Sequence, residues 1–264
     1  MSRTAMPVRI VLVLLISTVA CIADAQTTPR VVHTAPRRAL PVPRGYLLGG
    51  VSFLFGDGDF TDHRAIKTNA EDGSFDASYS NPNSTGFEVA GGVRLWKYLG
   101  ARIGVEHYAS DSAANVALSV PPPFFFQRPR TLSTPVDGVQ HDETWIHAHA
   151  LATFVANRRL QLSVFGGPSF VNMTQGAITD VTYTDVFPYD VITLGQVRTT
   201  EGSTSKVAFG GGADVLYYFS KAVGVGGTVE FASAESTIAT ANGGSVTVTS
   251  GGPRVGVGLS IRFR

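Results

Sequence analysis

The sequence contains a single cysteine among 264 residues, Cys21, and it lies in an N-terminal segment that we expect to be removed. Two arginines precede an apolar stretch at residues 10–16, and a small-residue motif follows and ends at Ala25. This order of charge, apolar stretch and small residues is typical of a secretory signal peptide. The sequence therefore predicts a signal peptide over residues 1–25 and an exported chain without disulfides or thiol chemistry.

The chain also lacks an excess of charge of either sign. Two of the 21 basic residues and one of the 20 acidic residues belong to the signal peptide, so the rest of the chain carries no net formal charge. A nucleic-acid-binding surface would need a basic excess, and we expect no nucleic-acid partner.

The apolar stretch of the predicted signal peptide is too short to span a bilayer as a helix. Residues 26–44 are rich in proline and arginine, which predicts an extended periplasmic tail.

Alternation of apolar and polar residues is what the sequence has in abundance. It is clearest at the C-terminus, where Val255, Val257, Leu259, Ile261 and Phe263 alternate with Arg254, Gly256, Gly258, Ser260 and Arg262. Successive side chains of a β-strand point to opposite faces, so this period of two predicts a strand. The same pattern predicts seven earlier strands, at about 45–55, 85–96, 101–110, 142–155, 160–173, 206–219 and 222–233.

The connections between these strands alternate in length. Long segments at 56–84, 111–141 and 174–205 and a shorter one at 234–250 are separated by short turns. Bacterial outer-membrane barrels have even strand counts, short periplasmic turns and longer external loops. The sequence therefore predicts an all-β fold, an eight-stranded antiparallel up-and-down transmembrane β-barrel over residues 45–264, with three long external loops and one shorter one.

A soluble eight-stranded barrel or sandwich would share the alternation. It would not need aromatic residues near the short turns, where a membrane barrel has an interfacial girdle. The aromatic residues near the short turns or the C-terminus are Trp96, Tyr98, Phe154, Tyr217, Tyr218, Phe219 and Phe263. Their position favours the membrane barrel.

On these residues the chain resembles the small eight-stranded outer-membrane β-barrel proteins of Gram-negative bacteria, the OmpA-like and OmpX-like group. Gly258, Ile261 and Phe263 match the spacing of the C-terminal assembly signal of this class. Gly256 stands where a polar residue is usual, and Arg264 follows the terminal aromatic residue. The resemblance implies residence in the outer membrane, contact with its lipid and lipopolysaccharide, and recognition by the barrel assembly machinery.

The interior of an eight-stranded barrel is just wide enough to be filled by side chains. The alternation assigns eight charged residues to this interior: Glu88, Arg94, Arg102, Glu106, Asp214, Glu230, Arg254 and Arg262. Since an isolated buried charge is costly, we expect these acids and bases to pair into a network that plugs the lumen. The resemblance implies the same plug. The alternative is a narrow channel for ions or small apolar solutes, as in OmpW-like barrels.

The sequence indicates no catalytic residues and no cofactor. It has no nucleophile elbow, and neither His147-Ala-His149 nor His107-Tyr-Ala-Ser110 matches the His-x-Ser pair that a resemblance to lipid A deacylases would require. We expect a non-enzymatic protein, with a rim hydrolase acting on lipid as a weaker alternative. His147 and His149 share one strand face and could contact a metal ion, but no third ligand is evident, so no metal site is predicted.

Phe124, Phe125 and Phe126 follow three prolines in the second long segment. Three adjacent phenylalanines exposed to water would form an apolar patch of the kind that marks interaction sites. The patch could insert among outer-leaflet lipid chains, bind a partner, or fold back over the barrel mouth. We therefore expect an envelope-structural role or a role in binding or adhesion through the loops, with an external partner that the sequence does not name.

Overall fold

The computed structural model describes residues 43–56, 59–80, 83–124, 127–155, 157–239 and 245–263. The predicted signal peptide, most of the predicted tail, Phe125, Phe126 and Arg264 lie outside these ranges. The strands are β1 Gly45–Leu54, β2 Phe60–Thr68, β3 Glu71–Ser80, β4 Ser84–Trp96, β5 Leu99–Val120, β6 Arg130–Val155, β7 Leu160–Asp185, β8 Ile192–Tyr218, β9 Val223–Ala239 and β10 Ser245–Phe263. Among these residues, no helix is long and apolar enough to cross a membrane.

Eight of the ten strands form a closed antiparallel ring in the order β1, β4, β5, β6, β7, β8, β9, β10. β10 closes the ring by pairing with β1, from Gly45 opposite Phe263 to Leu54 opposite Arg254. Closure leaves no unpaired strand edge in this ring, which is the condition for a sheet to cross a bilayer. The predicted eight-stranded barrel and the pairing of its last strand with its first are confirmed.

Glycine allows the two closing strands to approach each other closely. Gly50 lies opposite Gly258. A Cβ at Gly50 would collide with the carbonyl oxygen of Val257, and one at Gly258 would collide with that of Gly49. A side chain at either position would push the strands apart, so the glycine content of this pair follows from the closure of a small barrel.

The outward face of the ring is apolar and exposed. Leu47, Phe87, Ile103, Phe209 and Leu259, from five different strands, expose 54, 52, 65, 78 and 64% of their surface. Their chain neighbours face inward and are mostly buried. Exposed apolar surface of this extent is unfavourable in water and favourable in hydrocarbon, so this outward belt is the surface that lipid covers.

Tyr218 departs from the predicted aromatic girdle. The other six residues of that prediction expose between 44 and 68% of their surface, whereas Tyr218 is fully buried. Its neighbours Tyr217 and Phe219 take the outward positions, so Tyr218 points into the ring, where its hydroxyl lies 3.1 Å from Oγ of Ser260. The assignment of Tyr218 to the girdle was wrong.

The segments predicted as long loops consist largely of strands. β5 and β6 remain paired to Val120 opposite Arg130, and β7 and β8 to Asp185 opposite Ile192. β2 and β3 form a hairpin within residues 56–84, and β3 pairs with the outer part of β5. The connections are long where the sequence predicts them, but they are paired strands, which the sequence analysis did not predict. Their water-facing side is rich in serine and threonine, so they lack the apolar face that marks a lipid-facing strand.

The strand extensions enclose a hydrophobic core of their own, outside the ring. Its buried members are Phe75, Ala77, Tyr79, Ala114, Val116, Leu118, Val120, Val139, Ile178 and Ile192. We call this part of the molecule the external sandwich. It has β2, β3 and the outer parts of β5 and β6 on one side and the outer parts of β7 and β8 on the other. Its small apolar side chains are packed against each other rather than against lipid.

Two polar side chains, those of Arg64 and Tyr79, hold the two sides of the external sandwich together. Arg64 of β2 donates hydrogen bonds to the carbonyl oxygens of Ile178 (3.2 Å) and Thr179 (3.1 Å) in β7. The N–H of Ile178 donates to the hydroxyl oxygen of Tyr79 at 2.7 Å. Burial raises the pKa of Tyr79, so this hydroxyl stays neutral. These bonds fix β7 against the β2–β3 hairpin and make the extension a folded unit.

Candidate functional site

Six charged side chains lie together in the middle of the ring, and we call them the lumen cluster. They are Glu88, Arg102, Glu106, Asp214, Glu230 and Arg254, each at most 2% exposed. Each residue holds an inward position on β4, β5, β8, β9 or β10. The structure thus brings together six of the eight residues that the alternation assigned to the interior.

Arg102 is the centre of one half of the lumen cluster. Its Nη2 lies 2.8 Å from Oε1 of Glu88, its Nη1 3.4 Å from Oε2 of Glu230, and its Nε 3.5 Å from Oδ2 of Asp214. The guanidinium also lies 4.0 Å from the ring centroid of Phe165. One cation therefore neutralises parts of three buried carboxylates, which the planar, multidentate guanidinium group can do and an ammonium group cannot.

Arg254 has the same role in the other half. Its Nη1 lies 3.0 Å from Oε2 of Glu106, and its Nη2 lies 3.5 Å from Oε1 of Glu230. Its guanidinium lies 4.5 Å from the ring of Trp145. Glu230 contacts both arginines and so joins the two halves into one network.

Neutral hydroxyl groups donate further hydrogen bonds to two of the acids, Asp214 and Glu106. The hydroxyl of Tyr46 donates to Asp214, as does that of Thr228 at 3.0 Å. The hydroxyl of Tyr108 donates to Oε2 of Glu106 at 2.7 Å. Buried carboxylates with this many donors are held in fixed positions, and such a network favours one strand register.

Four rings lie in a row along the inner wall of β6 and β7, stacked in the outer two pairs and tilted in the middle pair of histidines. The centroid distances are 6.0 Å from Trp145 to His147, 5.2 Å from His147 to His149, and 5.3 Å from His149 to Phe165. Both imidazoles contact Oγ of Ser169, through Nδ1 of His147 at 2.8 Å and Nε2 of His149 at 3.1 Å. The alternation around Ile146 predicts the inward side of both histidines, but no sequence signal connects them with Ser169 on another strand.

Trp145 also forms part of the lining above the lumen cluster. Its Nε1–H donates to Oε2 of Glu143 at 2.8 Å, and Nε2 of His141 lies 3.1 Å from Oε1 of the same carboxylate. The backbone N–H of Gly251 lies 3.2 Å from Oε2 of Glu143. Side chains thus continue from the two histidines outward through Trp145 to Glu143, a buried acid outside the lumen cluster.

Arg262 and Arg94 lie away from the lumen cluster. Arg262 donates to the carbonyl oxygens of Lys221 (2.9 Å) and Arg158 (3.2 Å) at the mouth formed by the short turns. The expectation that Arg262 meets acids inside was wrong, because position 262 lies at the end of β10, within reach of the turns. Arg94 is partly exposed at the same end of the ring, where it lies opposite Gly100.

The outermost turns of the external sandwich carry an exposed apolar surface, which we call the apolar tip. It consists of Phe124 from the β5–β6 connection and Val186, Phe187, Tyr189 and Val191 from the β7–β8 connection. Phe124 exposes 68% of its surface and Phe187 79%. The ring of Tyr189 lies 5.5 Å from that of Phe124 and 6.0 Å from that of Phe187. Two separate turns therefore contribute to one patch.

Arg130 holds these two turns together. Its two terminal nitrogens lie 2.6 and 2.9 Å from the two oxygens of Asp185, a bidentate pair. The same guanidinium donates to the carbonyl oxygens of Tyr189 (3.0 Å) and Pro121 (3.2 Å). The pair is largely buried beneath the tip, so it adds rigidity to the patch and leaves little charge on its surface.

The apolar tip lies far from the lipid-facing belt. Val191 precedes β8, and Val207, an exposed residue of the belt, follows 16 positions later. At about 3.3 Å per residue this is a path of about 50 Å along the strand. The apolar tip is therefore well separated from the belt along this strand, and the role of Phe124 among the three predicted ones stays a prediction.

The sequence matches no protein-family model and no curated protein. Among solved structures it is similar to OprG from Pseudomonas aeruginosa, with 10% identity and a TM-score of 0.47 over 83% of this chain and 95% of that one. It is also similar to Neisserial surface protein A (9%, TM-score 0.41, 83% and 97%) and to Ail of Yersinia pestis (10%, TM-score 0.36, 83% and 99%). The fold is that of a small eight-stranded transmembrane β-barrel. The closed eight-stranded ring and its apolar belt carry this conclusion.

Proposed function

We propose that the protein is a non-enzymatic outer-membrane barrel that displays a binding surface, the apolar tip, on its external sandwich. The observation that carries the proposal is the construction of the tip. Strongly exposed Phe187 and Phe124 come from two turns, and the buried pair of Arg130 and Asp185 fixes those turns. A surface that is already rigid loses less conformational entropy on binding, so it can bind a partner more tightly.

The partner that fits the tip is a protein surface of low charge. Phenylalanine and tyrosine are enriched at the buried centres of protein–protein interfaces, where charged residues are depleted. Exposed Phe124 and Phe187 give the tip an aromatic centre of this kind. The one charged residue within the 186–191 segment, Asp190, is exposed between Tyr189 and Val191. The tip is also separated from the lipid-facing belt, so the membrane around the barrel does not cover it. An adhesion role follows from these two features.

Polar substitutions at the tip are expected to weaken attachment. In a laboratory Gram-negative host, the double variant Phe187→Ser, Val191→Ser should reduce adherence to immobilised protein surfaces at least fivefold relative to the wild type, because loss of a few central apolar contacts removes most interface energy. Thr193→Ser, at an exposed position beside the tip, is the matched control. Equal adherence of the double variant and the wild type, at equal surface amounts, would exclude the tip as the binding surface.

We further propose that the lumen cluster plugs the barrel. The six buried side chains hold one another across the lumen by ion pairs, and the aromatic and imidazole rings of β6 and β7 fill the space beside them. The alternative function, a narrow channel, would need a continuous path past Arg102 and Arg254. The plug is therefore the role that the geometry of the cluster supports.

Planar-bilayer recordings separate a plug from a channel. Purified, folded wild-type protein is expected to show no discrete openings. Glu230→Ala should produce them, because it removes the residue that joins the two arginines and leaves a polar gap that water can enter. Asp72→Ala, at an exposed position of the β2–β3 hairpin, should behave as the wild type. Discrete wild-type openings would favour the channel.

Outer-membrane lipid and lipopolysaccharide at the belt, and the assembly machinery at Gly258, Ile261 and Phe263, are further proposed partners. Ile261 and Phe263 are exposed on the outward face, where such machinery could contact them. Gly256, the position that departs from the usual signal, faces the lumen cluster, and a Cβ there would collide with Oε2 of Glu88. The departure therefore has a local reason in the packing of the lumen.

A further inference from the structure

The lumen cluster contains more acids than bases. Four carboxylates, those of Glu88, Glu106, Asp214 and Glu230, surround the two guanidinium groups of Arg102 and Arg254. The cluster thus has a formal excess of two negative charges at a site that water barely reaches. Glu143, a further buried acid nearby, contacts His141. It does not change the excess of acids over arginines within the lumen cluster. Uncompensated buried charge is costly, so the excess calls for protons or for a cation.

His147, His149 and Glu230 lie beside this excess and point at one another. One ligand atom from each lies within 4.8 Å of the other two, and all three residues are buried. Nδ1 of His147 lies 3.2 Å from Oε1 of Glu230. Two ligands at about 2.0–2.1 Å from one tetrahedral ion lie about 3.3 Å apart. The spacing of this pair therefore fits a shared metal ion.

The hydrogen bonds of these three residues are incomplete. Oε1 of Glu230, Nε2 of His147 and Nδ1 of His149 are buried and make no hydrogen bond. The hydroxyl of Ser169 contacts one nitrogen of each imidazole, and it can donate to one and accept from the other, so the second nitrogen of each ring is the one without a hydrogen-bond partner. Such incomplete bonding is uncommon for buried groups, and it leaves each of the three residues with an atom that can still bind a ligand.

We propose that His147, His149 and Glu230 bind a divalent transition-metal ion inside the barrel, with zinc as the best match. Two imidazoles and a carboxylate form a typical zinc ligand set. The charge of the ion would balance the excess of two negative charges. With the ion on Oε1, Oε2 of Glu230 would still contact Arg102. Arg254 would still pair with Glu106 at 3.0 Å. Ser169 stands next to both imidazoles and is placed to provide or orient a fourth ligand.

Metal content after folding tests this site. The full chain is folded in detergent with Zn²⁺ or Co²⁺, passed through a chelating resin, and measured by elemental mass spectrometry. We expect about one ion per chain for the wild type and for His107→Gln, whose imidazole faces away from the lumen and contacts Thr144. The double variant His147→Gln, His149→Gln should hold at least tenfold less, and the wild type and His107→Gln, but not the double variant, should show the visible absorption of tetrahedral Co²⁺. Wild-type content no higher than that of the double variant would overturn the site.

A second pair of variants separates ligation from charge. Glu230→Gln and Glu106→Gln each remove one negative charge from the lumen cluster, but only Glu230 is a proposed ligand. Glu230→Gln should lower the metal content at least tenfold, and Glu106→Gln should retain more than half of it. Equal losses would contradict the proposed ligand set. Heat-modifiable migration on a gel identifies folded protein, and only folded samples are compared.

Discussion

Replacing Arg102 by methionine is expected to lower the free energy of unfolding by about 3–5 kcal/mol, because it leaves buried carboxylates without their cation. Glu88, Asp214 and Glu230 all contact this guanidinium group within 3.5 Å. Methionine keeps much of the side-chain length, so the effect comes mainly from lost charge and hydrogen bonds rather than from an empty space. Urea unfolding of the folded protein in lipid vesicles, followed by tryptophan fluorescence, measures the change.

Arg159→Met is the matched control for this prediction. Arg159 is exposed in a short turn, so its loss should change the free energy of unfolding by about 0.5 kcal/mol or less. If Arg102→Met were as stable as the control, the buried acids would have to be uncharged in the folded protein, and the ion-paired plug would be wrong.

A double variant shows whether the effect of Arg102 acts through its partners. Adding Glu88→Gln to Arg102→Met removes one of the stranded charges and should restore about 1–2 kcal/mol, since neighbouring residues in one network are not additive. Glu88 is the best choice because it makes the shortest contact with the guanidinium group, 2.8 Å.

The alternation of the sequence was sufficient to predict the ring and most of its interior. Arg102 and Arg254 lie 152 positions apart, yet each is inward because its neighbours, such as Ile103 and Val255, must face lipid. A period of two fixes the face of every residue once one face is assigned. It does not fix depth along the barrel axis. This is why Arg262 was assigned to the same network although it lies at the mouth.

The external sandwich and the apolar tip could not be predicted in the same way. Strands outside the membrane have no lipid-facing side, and their inward residues, such as Ala77 and Val116, are small and separated by serine and asparagine. Their pairing depends on contacts between distant segments, including that of Arg64 with Ile178. The sequence predicts that Phe124 is exposed. It does not predict that residues of the β7–β8 connection, such as Tyr189, lie beside it, because the two turns are far apart in the chain.

The plug and the proposed metal site depend on the same side chain, Glu230. Its two oxygens contact different groups, Oε2 facing Arg102 and Oε1 facing His147 and Arg254. A metal ion on Oε1 would therefore add a further cross-link between β6 and β9 without displacing Arg102. Any ligand that binds only the folded state stabilises it, so a bound ion would make the plug harder to open.

Replacing Trp145 by alanine is expected to destabilise the barrel by about 3–5 kcal/mol, the usual cost of removing a buried tryptophan. Trp145 is fully buried, donates to Glu143 at 2.8 Å and packs against the guanidinium of Arg254 at 4.5 Å. Its loss removes a large volume beside the lumen cluster as well as a donor to a buried acid. The measurement is urea unfolding followed by heat-modifiable migration, which does not depend on the fluorescence of the residue removed.

Trp145→Phe separates the two contributions, since it keeps an aromatic ring above Arg254 and loses only the indole N–H and part of the volume. We expect this variant to cost about 1–3 kcal/mol, the range for leaving one buried acceptor short of a donor. The alanine variant should be clearly less stable than the phenylalanine variant. If both were equally destabilised, the hydrogen bond to Glu143 would account for the whole effect, and the packing of the ring against Arg254 and His147 would contribute nothing to the plug.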